Sequence, residues 1–285
     1  MEIRLSQLDL SWPFWDDYRP ALQRLMGAEF PTADELSALL PGELQSHGGQ
    51  PIRFVTASAI PDVLYEPHIF RTGQVSTRTE NWHDLFNALV WSRFPRFKSA
   101  MNAMHVARQN KGQTARRGRM RDALTLMDES GAIVISSDAS LLNAVARRDW
   151  SQVFGSGFSR RQETGGPGPP KLFLCGHALL EKFLQPYKAI TAKVLLVAVD
   201  EATFSLPRAE LLARLDLDLA EKLLTGQLFN NPAELSPLPL MGIPGWWPLS
   251  DQDAAFYADT DVFRPLGDHS TAAPIFSNLS LDVDT

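Results

Sequence analysis

The chain is almost free of cysteine. Cys175 is the single one in 285 residues, so an internal disulfide framework and a cysteine-based zinc cluster are both excluded. Long hydrophobic runs are also missing. The best apolar stretch, residues 189–199, has strand length and carries Lys193. It falls well short of the roughly 18–20 residues of a membrane span, so no membrane partner is expected. There is no excess of positive charge: 27 basic residues stand against 33 acidic ones, a formal net charge of −6. That balance leaves no general electrostatic case for nucleic-acid binding. The first ten residues lack the apolar core of a signal peptide and carry Glu2, Arg4 and Asp9 instead. A cytoplasmic location is the resulting expectation. Internal repeats are absent as well. What is present, 44% apolar and 21% charged residues, matches a globular chain and excludes a wholly disordered one.

Residues 12–26 carry Phe14, Tyr18, Ala21, Leu22 and Leu25 at helical spacing, and Pro20 must kink or divide the segment. Thr32 is a good N-cap for a short helix that opens with Asp34 and Glu35. Residues 52–57 read as a strand, and 65–70 as a further strand that Pro67 confines to an edge. Helices are expected over 82–91, behind a cap at Thr79 or Asn81, and over 96–110. Residues 108–121 read as a basic loop without a single acid. Residues 122–127 and 132–136 read as a hairpin across Asp128-Glu129-Ser130-Gly131. A helix over 139–147 is capped by Asp138. Strands are expected at 171–175 and 190–199, and helices at 177–184 and 207–224, the last with a leucine stripe. Residues 155–170 read as a flexible loop. From Asn231 onward, prolines and tryptophans preclude regular helix and predict a wrap over the surface. An acidic, partly disordered tail is expected from about residue 266. The whole, 1–285, reads as one domain of the α+β class, with irregular α/β as the variant. It has an N-terminal helical part, a mixed or antiparallel sheet flanked by helices, and a Pro/Trp-rich C-terminal wrap.

Three polar clusters interrupt these apolar patterns. His83 and Asn87 lie four residues apart on the 82–91 helix, hence on one face, with Asp84 about a quarter turn away. Asn87 among Leu85, Phe86, Ala88 and Leu89 is costly unless it finds a partner. His83 and Asp84 are candidate ligands or an acid/base pair; alternatively Asp84 caps the first turn, and His83 and Asn87 satisfy buried backbone groups. Asp128 and Glu129 close the 122–127 strand. In a strand, Asp122 and Asp128 would sit about 20 Å apart and could not share one metal. His177 and Glu181, again four apart, follow Cys175-Gly176. A histidine and a carboxylate at this spacing can bind one metal ion or act as an acid/base pair with the glutamate orienting the imidazole; a surface pair is the alternative. Cys175 near a helix start is a conceivable thiolate nucleophile. The arginines between 116 and 121 suit an anionic ligand, but no aromatics interleave with them, so a single-strand nucleic-acid platform is unsupported.

The string Arg78-x-Glu80-Asn81-Trp82-His83-Asp84-Leu85-Phe86-Asn87-Ala88-Leu89-Val90-Trp91, followed by Phe94-Pro95 and Asn102, resembles a bacterial family known as domain of unknown function 3025. Arg121-Asp122-Ala123-Leu124-Thr125 with Asp128-Glu129, Gly176-His177-Ala178-Leu179-Leu180-Glu181-Lys182, Gly242-Ile243-Pro244-Gly245 and Asp261-Val262-Phe263-Arg264-Pro265 fit the same pattern in the same order. The resemblance spans roughly residues 10–265. It implies a single-domain bacterial cytoplasmic protein and implies no reaction.

On the residues themselves, the leading expectation is a metal-assisted hydrolase acting on a phosphorylated or nucleotide-like substrate. It requires His83, Asp84, His177 and Glu181 to converge as catalytic residues, and these four with Asp128 to form a metal site. Arg78, Asn87 and Arg121 would face a small anionic substrate. A mixed nitrogen and oxygen ligand set suits Zn, Mn or Fe. The alternative is a non-catalytic binding protein in which the same His, Asp, Asn and Glu residues form a structural hydrogen-bond network.

Overall fold

The computed structural model describes residues 4–27, 29–60, 63–109, 115–158 and 168–277. Two 3-10 turns, Leu5–Gln7 and Pro13–Trp15, precede α1 (Arg19–Leu25) and α2 (Ala33–Ser37). Pro20 occupies the first turn of α1, where its missing N–H is harmless, so the segment divides ahead of it. Thr32 caps α2 in a reciprocal box: Glu35 N donates to Thr32 Oγ1 at 3.3 Å and Thr32 N to Glu35 Oε2 at 2.8 Å. β1 (Arg53–Thr56) and β2 (Gln74–Thr77) form a parallel two-stranded sheet connected through α3 (Tyr65–Thr72). The helices α4 (Trp82–Arg93), α5 (Pro95–Gln109) and α6 (Ala115–Ser130) follow.

β3 (Gly131–Ser136) leaves α6 directly, and α7 (Ala139–Arg147), α8 (Trp150–Gln152) and a π-helical turn (Val153–Gly157) come next. β4 (Lys171–Leu174), α9 (His177–Lys182), β5 (Thr191–Ala198), α10 (Glu201–Phe204) and α11 (Arg208–Leu224) continue the chain. β6 (Ser236–Pro239), α12 (Ala254–Tyr257) and β7 (Ile275–Phe276) complete it. The larger sheet has the order β4-β3-β5-β6, with β7 also on β5. β3 runs antiparallel to β4 and parallel to β5. β6 pairs antiparallel with the first half of β5, and β7 pairs parallel with Leu196 and Val197 farther along. All six β3 residues are buried, as a strand covered on both faces must be. A mixed sheet with helices against it is an α+β fold. No helix among the described residues is long and apolar enough to cross a membrane.

An aromatic cluster ties both ends of the chain to the centre. Phe14 stacks on Phe183 at 4.3 Å and Trp15 on Phe86 at 5.7 Å, while Trp246 packs edge-on against Phe14 at 5.8 Å. These contacts hold α4 and α9 against one another through the N-terminal segment and the Pro/Trp-rich segment.

Two expectations are overturned. Residues 65–70 are helical, not a strand. Pro67 falls in the first turn, where its missing N–H is tolerated, and Gly73 at φ 70° ends the helix in the left-handed region. Residues 122–127 are helical too, so there is no hairpin, and the basic stretch from Ala115 onward belongs to α6. Met120, Ala123, Leu124 and Met127 are buried at three- and four-residue spacing, a helical stripe that outweighs the turn-like Asp-Glu-Ser-Gly. Asp122 and Asp128 are therefore about 9 Å apart along a helix rather than at opposite ends of a strand. The C-terminal wrap, for its part, also contributes β6 to the sheet. Pro237 and Pro239 are compatible with this because the strand lies at an edge. Residues 110–114, 159–167 and 278–285, parts of the expected basic loop, flexible loop and acidic tail, lie outside the described residues.

Candidate functional site

Gly176 determines where His177 goes. A Cβ at this position would lie 2.4 Å from Gly131 N and 2.7 Å from Glu129 O. Only glycine lets the end of β4 rest against the junction of α6 and β3. Cys175 N and Gly176 N both donate to Gly131 O, at 3.0 and 2.8 Å. α9 therefore begins beside the last turn of α6, and His177 enters next to Asp128 and Glu129. Asn81 caps α4 by accepting from Asp84 N at 3.0 Å. His83 in the first turn of α4 then faces His177 in the first turn of α9.

The two imidazoles meet edge to face, with centroids 4.4 Å apart and planes at 78°. Their Nε2 atoms are 2.9 Å apart. Behind His83, Nδ1 lies 3.1 Å from Glu181 Oε2. Glu181 thus meets the histidine of another helix, 98 residues away, rather than the His177 four positions before it on its own helix. Behind His177, Nδ1 is buried with no hydrogen-bond partner among the described residues and lies 3.7 Å from Asp128 Oδ2. Glu129 Oε2 is 3.6 Å from His177 Nε2. One ligand-type atom each from His83, Glu129 and His177 all fall within 4.8 Å of one another, a spacing at which they could hold a metal ion. Each ring has a carboxylate on its far side and Nε2 in front, the arrangement in which a neutral imidazole is offered to a metal. Burial pushes His177 down to about 4, against the pull of Asp128, so its ring is neutral at pH 7. Burial raises Glu129, and the charge of Asp128 raises it further.

Behind this pair lies a buried ion pair. Lys98 donates to Asp128 Oδ1 at 2.5 Å and to Asn87 Oδ1 at 2.9 Å, with the Trp91 ring centroid 5.4 Å from its ammonium. Burial alone would raise Asp128, but Lys98 and then His177 bring it below the ordinary aspartate value. Asn87 Nδ2 donates to the Tyr65 hydroxyl at 3.1 Å, so this buried amide is engaged on both sides. Asp84 is closed off by Arg78, accepting from its backbone N at 2.7 Å, its Nε at 3.0 Å and its Nη2 at 2.8 Å.

Arg78, His83, Asp84, Asn87, Arg121, Asp128 and His177 line one cavity of about 540 Å³. Glu181 joins them through His83. Cys175 stands apart: it is fully buried, and burial pushes its thiol up, which removes it as a thiolate nucleophile. Sequence reasoning missed three groups, Lys98, His105 and Glu66, and did not count Glu129 as a ligand. The Glu66 carboxylate accepts from Asn102 Nδ2 at 2.6 Å, and burial pushes it up to about 7. The available signal was a helical reading of 115–130, which puts Arg121, Thr125 and Asp128 on one face.

A family model for proteins described as Protein of unknown function (DUF3025) matches residues 52–267. The chain belongs to this family. The DUF3025 match takes in α4, α5, α6 and α9, and so every site residue named above. No curated protein and no solved structure matches the chain.

Proposed function

We propose that this DUF3025 protein is a metal-assisted hydrolase acting on a small phosphorylated or nucleotide-like substrate. The observation that carries this reading is the 2.9 Å approach of two Nε2 atoms whose Nδ1 sides both face carboxylates. When both rings carry their proton on Nδ1, hydrogen-bonded to Glu181 from His83 and facing Asp128 from His177, both Nε2 lone pairs point at the same place. That arrangement is repulsive unless a cation lies there.

In this reading His83, His177 and Glu129 are the metal ligands, and Glu181 and Asp128 orient the two imidazoles. Two nitrogens and one oxygen suit Zn, Mn or Fe. A tetrahedral ion with metal–nitrogen bonds of about 2.0–2.1 Å needs its two nitrogens roughly 3.3 Å apart, a few tenths of an ångström beyond the present spacing. Three protein ligands leave a position for water, which a divalent ion makes acidic enough to serve as nucleophile near neutral pH. Asp84 is then not a ligand but the anchor of Arg78, which presents positive charge at the cavity wall.

The test is the metal content of untagged protein purified without chelator, beside His177→Ala. About one equivalent of a transition metal, lost in the variant, is expected, together with hydrolysis of phosphomonoesters or nucleotides that follows metal occupancy. No metal, and no rise in melting temperature with Zn, Mn or Fe, would overturn the reading. The cluster would then be a hydrogen-bond network in a non-catalytic protein, with one proton shared between the two Nε2 atoms.

A further inference from the structure

α5 and α6 face each other beside the cavity in two rungs. In the first, Lys98 of α5 meets Asp128 of α6. Seven residues onward in α5 and seven back in α6 come His105 and Arg121, which line the same cavity. Seven residues make about two turns of each helix, so helices running in opposite senses place His105 across from Arg121. Burial lowers the His105 imidazole; Asp128 opposes this, and Lys98 and then Arg121 add to it.

The two rungs differ in one respect. The first is closed, with ammonium, carboxylate and the Asn87 amide satisfying one another. The second holds two nitrogen groups and no acid of its own; the nearest carboxylate charge acting on His105 is that of Asp128, which the first rung already engages. His105 is buried, yet it has no hydrogen-bond partner among the described residues. Arg121 is exposed, and its guanidinium has no ion pair among them. The acids that share the cavity are held elsewhere: Asp128 by Lys98, Asp84 by Arg78 and Glu66 by Asn102. Glu129 lies at the far end, beside His177. The Thr125 hydroxyl is committed to Arg121 O at 3.0 Å.

We infer that His105 and Arg121 hold an anionic group, phosphate or carboxylate, on the molecule that occupies this cavity, about two helical turns from His83, His177 and Glu129. At about 1.5 Å per residue the separation along α6 is roughly 11 Å. The substrate therefore has two ends: a bond to be cleaved at the histidine pair, and an anion that is not part of that bond. The reacting end rests on the metal-centre reading above; the anion site rests on the two rungs and stands without it.

The experiment uses the full chain stripped of metal, with inorganic phosphate as probe and succinate in a parallel titration to separate phosphate from carboxylate. Melting temperature and calorimetric binding are read for wild type, Arg121→Ala, His105→Gln and His177→Ala. One or both probes are expected to bind wild type and His177→Ala equally, and about tenfold or more weakly to Arg121→Ala. Arg121 is exposed, so this variant decides even where His105→Gln perturbs folding. Failure of both probes to bind overturns the inference. So does binding that Arg121→Ala leaves unchanged, or that His177→Ala abolishes. Metal analysis of the same preparations keeps the two readings apart, because Arg121-dependent binding in a protein that takes up no metal removes the metal centre and leaves this site standing.

Discussion

The centre of the sheet and the cavity between α4, α5, α6 and α9 are held by different physics. Ala132, Ile133, Val134 and Ile135 on β3 and Val194, Leu195 and Leu196 on β5 have no exposed surface. Their stabilisation scales with area, and no one of them depends on a single partner. In the cavity several polar groups depend on particular partners far away in sequence. Lys98 needs Asp128 30 residues on, His83 needs Glu181 98 residues on, and Asn87 donates to Tyr65 22 residues before it. An apolar core fails gradually as area is lost. A polar one fails at once when a partner is removed and leaves a desolvated charge behind.

This contrast orders the expected effects of substitution. Lys98→Met, which strands Asp128, should cost about 3–5 kcal/mol in urea unfolding, and adding Asp128→Leu should recover much of that loss. If the double variant is no better than the single one, the pair is not the unit described. Leu195→Ala in the sheet should cost about 3 kcal/mol by cavity formation while leaving metal uptake unchanged. A change in metal uptake there would show that the two regions are coupled.

Gly176→Ala forces a Cβ against Gly131 and Glu129, at about 1–3 kcal/mol, and should weaken metal binding beyond what its stability loss explains. Retained metal affinity with lowered stability would show that His177 does not depend on this close approach. Thr32→Ala removes the cap of a helix remote from the cavity and should cost about 1 kcal/mol, visible in melting temperature only.

The effect that depends most on pH is expected at Glu66. Its value is pushed up to about 7 in the folded protein from an ordinary 4.5. The folded state therefore holds a proton that the unfolded chain has lost, and that stability is present below about pH 4.5 and lost as pH rises through 7. Glu66→Gln should thus gain in melting temperature relative to wild type between pH 5 and 8. A difference independent of pH would mean that Glu66 does not titrate in that window.

Much of the scaffold was legible before any coordinates. A cap for α4 at Thr79 or Asn81, of which the structure uses Asn81, Thr32 capping α2, Asp138 capping α7, the β5 strand and the leucine stripe of α11 all follow from spacings within one element. α6 was not legible. Leu124-Thr125-Leu126-Met127 alternates well enough for a strand, and burial on both sides of the chain is what selects the helix. Within the site, spacing correctly put His177 and Glu181 on one helix. It could not reveal that Glu181 would serve His83.

The sequence by itself determined the class of fold, the caps and most helices, because those depend on neighbours a few residues apart. It also supplied the short set of polar residues too costly to bury unpaired, and so marked where partners had to exist. Only the tertiary structure decided which partner each one takes. Pairings such as Lys98 with Asp128 and His83 with His177 depend on how α4, α5, α6 and α9 pack, and that packing hinges on a glycine, Gly176, whose missing side chain lets two backbones touch.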